Sequence, residues 1–323
     1  MKKSSVILLA FFVCLLWGTL YPMVKVCYNE LNIVGIPSIL LLVGVRFSVC
    51  GGAVTLFCFK KKSEKLAAVK GDFWMILAVG LFAIILHYGF KFAAMAVADS
   101  GRTAIVGQIG TLLYVCFSFL FFKDDKFSIK KVVAVLLGFI GVIVINLGSS
   151  GSGSLIGLGD VLVLISAVFY LASIIISKKV YSRVDDVVVT GVNQLFGGIV
   201  MLFAGICMGG TMSLREWYSG YALVYVCVAS IASYVIWGKV LNAGLLSKLF
   251  IIKFAEPVFA CIFGAILLGE DIFKLQYLFA FLIIAAGIVL SEINFGKKSQ
   301  TSTEAVIDEK SPESELDKAP AVD

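Results

Sequence analysis

The sequence predicts an all-α integral membrane protein, with about ten transmembrane helices arranged as two inverted five-helix repeats. Three observations predict it. The 323-residue chain is 60% hydrophobic and 15% charged, with a mean hydropathy of +1.02, whereas a soluble domain carries far more charge. The apolar residues fall into about ten runs, each near the length that a hydrocarbon core requires. Slid by about 146 residues, the chain aligns with itself over two long stretches without a gap.

The first run, 5–23 behind Met1-Lys2-Lys3, has the outline of a signal peptide. Its apolar part is too long for an h-region and no small-x-small cleavage site closes it, so it reads as an uncleaved first helix. The other runs are 37–59, 73–96, 100–122, 129–147, 159–177, 187–209, 217–238, 243–268 and 273–291. Basic residues gather in every second linker. Lys60, Lys61, Lys62, Lys65 and Lys70 follow the second run, and Lys123, Lys126, Lys130 and Lys131 the fourth. Lys178, Lys179 and Arg183 follow the sixth, and Lys239 and Lys248 the eighth. The opposite side carries Lys25, Arg102, Arg215 and Lys274 at its margins. The positive-inside rule then places both termini in the cytoplasm.

The repeat lays Phe117 over Phe263, Asp125 over Asp271, Phe127 over Phe273, Ala134 over Ala280 and Gly141 over Gly287, with Asp124 over Glu270 in an acidic turn. An odd number of spans per copy makes the second copy enter the membrane from the opposite side, as in secondary transporters. The expected organisation is a first five-helix repeat at 1–148, a Gly/Ser linker at 149–158, a second repeat at 159–295 and a disordered cytoplasmic tail at 296–323, whose composition is polar and charged.

Composition excludes several classes of function. The net charge of +6, from 27 basic and 21 acidic residues, follows membrane topology and is not a nucleic-acid signal. The eight cysteines are scattered without C-x-x-C spacing, and there is a single histidine, so no metal site and no cofactor is expected. The Gly/Ser stretch lacks the Gly-Lys-Ser/Thr ending of a phosphate loop. The partners expected are the lipid bilayer and a small-molecule substrate.

Ionisable groups inside the runs are few: Arg46, His87, Lys91, Lys253 and Glu256. Such groups are costly in a membrane unless they meet a partner, a water-filled cavity or a substrate. Lys253 and Glu256 are three apart, on one helix face. Pro257 removes the helical partner of the Lys253 carbonyl, and Pro22 does the same for Gly18, so both prolines are candidate kinks. Two readings stand for Lys253 and Glu256: an internal ion pair in a kinked helix, or a transport site. Arg46 either pairs with backbone carbonyls or Glu256, or binds substrate. Lys91 either snorkels outward or faces a cavity with His87, four residues away. Gln108 either bridges helices or binds ligand. The candidate substrate-binding set is therefore Arg46, His87, Lys91, Gln108, Lys253 and Glu256. Glu256 is also the candidate for proton coupling, since a carboxyl beside a lysine takes up or releases a proton according to what else binds nearby. An excess of positive charge would favour a carboxylate or phosphate on the substrate. Trp17, Tyr21, Tyr170, Tyr234 and Trp237 either stack on the substrate or anchor span ends. Ala134, Gly138, Gly141, Ala286 and Gly287 would let helices approach closely, and Gly107 and Gly110 would let the fourth helix bend.

Four motifs carry a resemblance to a known family. They are Leu16-Trp17-Gly18-Thr19 with Pro22, Val45-Arg46-Phe47, the stretch ADSGRTA at 98–104, and Glu256-Pro257-Val258-Phe259 running to Leu268-Gly269-Glu270. Together, over residues 5–293, the chain resembles a drug/metabolite transporter of the EamA type. The resemblance implies a ten-helix carrier with a central cavity lined by both halves, similar to exporters of amino acids, other metabolites and drugs. The chain departs from the family pattern in reading Lys123-Asp124-Asp125 where Gly-Glu is usual. It also has Thr111 opposite Pro257, where the fourth span commonly has a proline. The rival expectations are a nucleotide-sugar or organic-phosphate exchanger of related fold and, with no catalytic constellation behind it, an integral membrane enzyme.

Overall fold

The computed structural model describes residues 3–59, 69–110, 112–113, 117, 129–146, 156–181, 183–241, 252–253, 255–271 and 274–292. Regular structure among them is all helical, in ten segments. These are α1 (Lys3–Glu30), α2 (Gly35–Phe59), α3 (Phe73–Val97), α4 (Ser100–Gly107), α5 (Ile129–Asn146), α6 (Leu158–Tyr181), α7 (Asp186–Cys207), α8 (Tyr221–Leu241), α9 (Ala255–Leu268) and α10 (Leu275–Glu292). Five helices among the described residues are long and apolar enough to cross a membrane. The acidic turn at Lys123-Asp124-Asp125, Thr111, linker residues 149–155 and the tail from 296 lie outside the described residues.

The end of the bundle where α1 begins is here the near end, and the opposite one the far end. Two boundaries differ from the sequence expectation. Helix α1 continues to Glu30 because the polar residues that end its apolar run find partners at the far end. Lys25 Nζ donates to the Ala98 carbonyl at 3.0 Å, Tyr28 to the Phe92 carbonyl at 2.8 Å, and Glu30 accepts from Ser219 Oγ. Trp217, expected inside the eighth span, stands in the loop before α8 and is 87% exposed. An indole at a helix end is the usual interfacial position of that ring.

Helix α1 stays helical across Pro22. Pro257 lies within α9, and Ile252 and Lys253 before it are helical too. In α3 the residues Leu81–Tyr88 adopt π-helical geometry, a local widening that often accompanies functional sites. In α4 regularity breaks at Gln108, whose N–H bonds to the Ile105 carbonyl, three residues back, at 3.1 Å. That break is flanked by Gly107 and Gly110.

Helix pairing has the symmetry of an inverted repeat. Helix α2 crosses α7, α4 crosses α9, and α5 crosses α10, each helix meeting its own counterpart. Further contacts come in exchanged pairs: α1 with α8 and α6 with α3, α2 with α8 and α7 with α3, α1 with α9 and α6 with α4. Helices α5 and α10 are each 18 residues long and begin at Ile129 and Leu275, positions that the repeat superposes. Tyr88 and Tyr234, superposed by the same offset, hydrogen-bond to each other at 2.8 Å, so the pseudo-two-fold axis passes between them.

Small residues make the crossings possible. Along the antiparallel α2–α7 contact, Gly44 faces Leu202, Gly51 faces Leu195, Gly198 faces Ser48 and Gly191 faces Thr55. A Cβ at Gly51 or Gly198 would lie 2.1 and 2.3 Å from the opposing backbone nitrogens. In hydrocarbon this close backbone approach, not a hydrophobic gradient, drives helix association. Of the glycines expected to pack the fifth span, Gly141 meets Ile284 of α10 and Gly138 meets Leu112.

Candidate functional site

A cavity of about 480 Å³ lies at the centre of the bundle between the two halves. Arg46, His87, Lys91, Gln108, Lys253 and Glu256 all line it, and so do Trp17, Tyr21, Tyr170, Tyr234 and Trp237. Eight helices, α1–α4 and α6–α9, therefore bring together residues that are scattered along the sequence.

Each charged group is held by the neighbours of its helix. Arg46, on α2, is 3% exposed. Its Nε donates to Ser230 Oγ of α8 at 3.1 Å, and its guanidinium lies 4.8, 5.7 and 5.3 Å from the rings of Phe47, Tyr88 and Phe92. Lys91, on α3, points into the cavity over Tyr21 (4.8 Å) and Tyr88 (5.8 Å). Lys253, just before α9, lies over Trp17 (5.4 Å) and Trp237 (5.8 Å), whose rings are tilted together at 5.0 Å. Glu256 is 9% exposed and accepts from Tyr21 Oη at 3.1 Å. Among the described residues no carboxylate lies within 4.0 Å of Arg46, Lys91 or Lys253. Neither the internal Lys253–Glu256 ion pair nor an Arg46–Glu256 pair is formed. The cations rest instead on aromatic faces, an attraction that strengthens away from water and leaves their N–H donors toward the cavity.

His87 is 8% exposed, with Nδ1 at 2.9 Å from the Ser166 carbonyl of α6 and its ring 5.0 Å from that of Tyr170. That carbonyl accepts only if Nδ1 carries the proton, which leaves Nε2 as an acceptor when the ring is neutral. Gln108, at the break in α4, has no side-chain hydrogen bond among the described residues and is free to meet a ligand.

The cavity has members that the sequence reading did not single out. Ser173, Ser177 and Tyr181 recur every fourth residue on α6, and Asp186, Thr190, Asn193 and Gln194 share one face of α7. Polar residues at helical spacing within an apolar run were the available signal. These two stripes carry the lining from mid-bundle to the near end, where Tyr181 is 42% exposed. Among the described residues, ion pairs join helix ends at both ends of the bundle: Arg183 with Asp72 (2.8 Å) at the near end, and three pairs at the far end. There Lys25 pairs with Glu270 (2.8 Å), Arg102 with Asp160 (2.5 Å) and Lys274 with Asp99 (3.6 Å).

Comparison with known proteins agrees with this architecture. The model of the EamA-like transporter family matches residues 4–147 and again 157–292. The chain is 27% identical over 312 residues to the uncharacterized transporter YvbV of Bacillus subtilis, covering 96% of this chain and 97% of that one. It is 23% identical over 297 residues to the uncharacterized inner membrane transporter YedA of Escherichia coli K12, covering 87% and 89%. One crystal structure shares the fold with a TM-score of 0.62 at 18% identity, over 89% of this chain and 97% of that one. With two copies of the family repeat, inverted about an axis beside the polar cavity, this multi-pass membrane protein belongs to the EamA-like transporter family.

Proposed function

We propose that the chain is a secondary transporter that exports a small carboxylate-bearing metabolite, an amino acid or similar solute, by alternating access. The observation that carries this reading is the convergence of Arg46, Lys91, Lys253 and Glu256 on one central cavity, with the three cations unpaired by carboxylate. A solute carboxylate has cationic donors to meet there, and an amine has Glu256 and the faces of Tyr21, Tyr170 and Tyr234. Gln108 and His87 add neutral hydrogen bonds. Glu256 is the group through which a proton would couple to transport.

Positive-inside bias places the near end and both termini in the cytoplasm of a plasma or bacterial inner membrane. The cavity lining then reaches the cytoplasmic side, where an exporter loads. A second reading, exchange of an organic phosphate or nucleotide sugar, is favoured by the cation excess alone.

A metabolite screen by ligand-induced thermal shift on purified protein identifies the solute class, and flux into reconstituted vesicles tests the activity. Carboxylate solutes are expected to stabilise the protein and to move down or against a proton gradient. Stabilisation by phosphorylated solutes alone, with flux only in counter-loaded vesicles, would replace the first reading by the second.

A further inference from the structure

Glu270 stands in the turn between α9 and α10, where the sequence offered it only a turning role. Gly269, at φ +66°, takes the left-handed conformation that reverses the chain, and the Glu270 N–H bonds to the Gly264 carbonyl at 3.3 Å. This reversal sends the carboxylate across the far end toward α1 and α4. Oε1 accepts from Lys25 Nζ at 2.8 Å and from the Ser100 N–H at 2.9 Å. Oε2 accepts from Ser100 Oγ at 2.6 Å and from the same N–H at 3.0 Å. The carboxylate thus closes a positive helix end and a lysine at once. Gly264 leaves room for this cluster, since a Cβ there would sit 2.6 Å from Glu270 Oε2 and 2.7 Å from Ser100 Oγ.

Open space borders this cluster on its outer side, and a second space begins one helical turn of α1 below it. Beyond it, at the far end, a vestibule of about 800 Å³ is lined by Lys25, Asn29, Asp99, Glu270, Asp271 and Lys274. Below it is the central cavity, which Tyr21, one helical turn before Lys25, lines. Met95 lines both spaces. The vestibule and the cavity are therefore separated by a thin layer of side chains, and the Lys25–Glu270–Ser100 cluster ties together three of the elements that form it.

We infer that the Lys25–Glu270–Ser100 cluster is the far-end gate of the permeation path and that the vestibule is the path's far half. The inference rests on the transporter reading above. Polar bonds suit this role. When α1, α4 and the α9–α10 turn separate, Lys25, the carboxylate and the first N–H of α4 all meet vestibule water, so opening strands no buried donor or acceptor. A seal of apolar side chains would instead expose apolar surface. Closed, the same bonds are shielded from solvent, with the Glu270 side chain 9% exposed, which holds the far end shut while the cavity faces the near end.

The test needs no known substrate. The full chain, with exposed Cys207 changed to Ser and Ser173→Cys as a reporter in the cavity, is reconstituted in vesicles of determined orientation. A membrane-impermeant maleimide is added from either side, and labelling of the parent without the reporter is subtracted. With the latch intact, the reporter labels from the near end. Glu270→Ala and Lys25→Gln should each raise far-end labelling about ten-fold or more and slow near-end labelling, as a shift of a two-state equilibrium requires. Lys25→Gln keeps the Glu270 cap on α4, so it decides the matter if Glu270→Ala fails to fold. Far-end labelling at the parent rate in Lys25→Gln protein that melts as the parent does overturns the gate, whatever the flux assay gives. Latch-dependent labelling upholds it, and flux alone then tests the transporter reading.

Discussion

Arg46 sits among three aromatic rings with one hydrogen bond, to Ser230, and leaves its remaining N–H groups for a ligand. A charge-assisted hydrogen bond contributes about 1.5–3 kcal/mol, which corresponds to roughly a ten- to hundred-fold change in affinity. Arg46→Ala is therefore expected to raise the half-saturating solute concentration by about that factor in vesicle flux. Arg46→Lys recovers only part of it, because an ammonium cannot hold Ser230 and a carboxylate in one planar fork. Glu256→Gln keeps the shape and the bond from Tyr21 Oη but cannot carry a proton. If Glu256 couples transport to protons, this variant loses the pH dependence of flux while retaining counterflow. An unchanged pH profile would sink the coupling role. Two of the sequence readings meet a definite geometry here. Lys91 turns inward over Tyr21 instead of snorkelling, and Lys253 leaves Glu256 for the faces of Trp17 and Trp237. Nothing local in the sequence could have chosen between these options, since the rings that receive the lysines come from distant helices.

At the scale of the elements, the α2–α7 crossing is the tightest joint among the described residues. With a glycine Cβ position 2.3 Å from the Ser48 nitrogen, Gly198→Ala must push the helices apart or bend one of them. Overpacking of this kind costs about 1–3 kcal/mol, so a clear fall in the detergent melting temperature is expected for Gly198→Ala. Gly71→Ala, whose Cβ would meet nothing within 4 Å, should melt as the parent does. Of the small residues, Gly138 and Gly141 of the fifth span were legible, where the repeat drew attention to them. Those of the second and seventh were missed, where the glycines are spaced along apolar runs and only the opposing backbone gives them meaning. The π-helical stretch of α3 was likewise hidden. Its residues are apolar in any helical register, and hydrogen-bond slippage leaves no mark in composition. It nonetheless helps bring His87, Tyr88 and Lys91 together on the cavity wall.

For the whole molecule, the inverted repeat makes a topological prediction. A protease site inserted within residues 149–158 should be cut from outside the cell, while a tag at either terminus should be reached only after the membrane is permeabilised. The opposite pattern would reverse the orientation read from the lysine-rich linkers and, with it, the side to which the cavity opens. The ten-span count, the inversion and most span positions were legible because the bilayer acts as a uniform solvent. It demands apolar runs of fixed length, and basic linkers record the side on which each run ends. The same solvent made the candidate site legible as a set of residue types, since any charge at mid-depth calls for an explanation. What the sequence by itself determined is thus the class of fold, the repeat, and a short roster in which Arg46, His87, Lys91, Gln108, Lys253 and Glu256 stood out. Only the tertiary structure decided that these residues share one cavity, that aromatic faces and not carboxylates hold the cations, and that Glu270 reaches across the far end to Lys25 and Ser100. Burial cost depends on a residue's depth, which one chain records, but pairing depends on which helices cross, which is fixed only when the two halves pack.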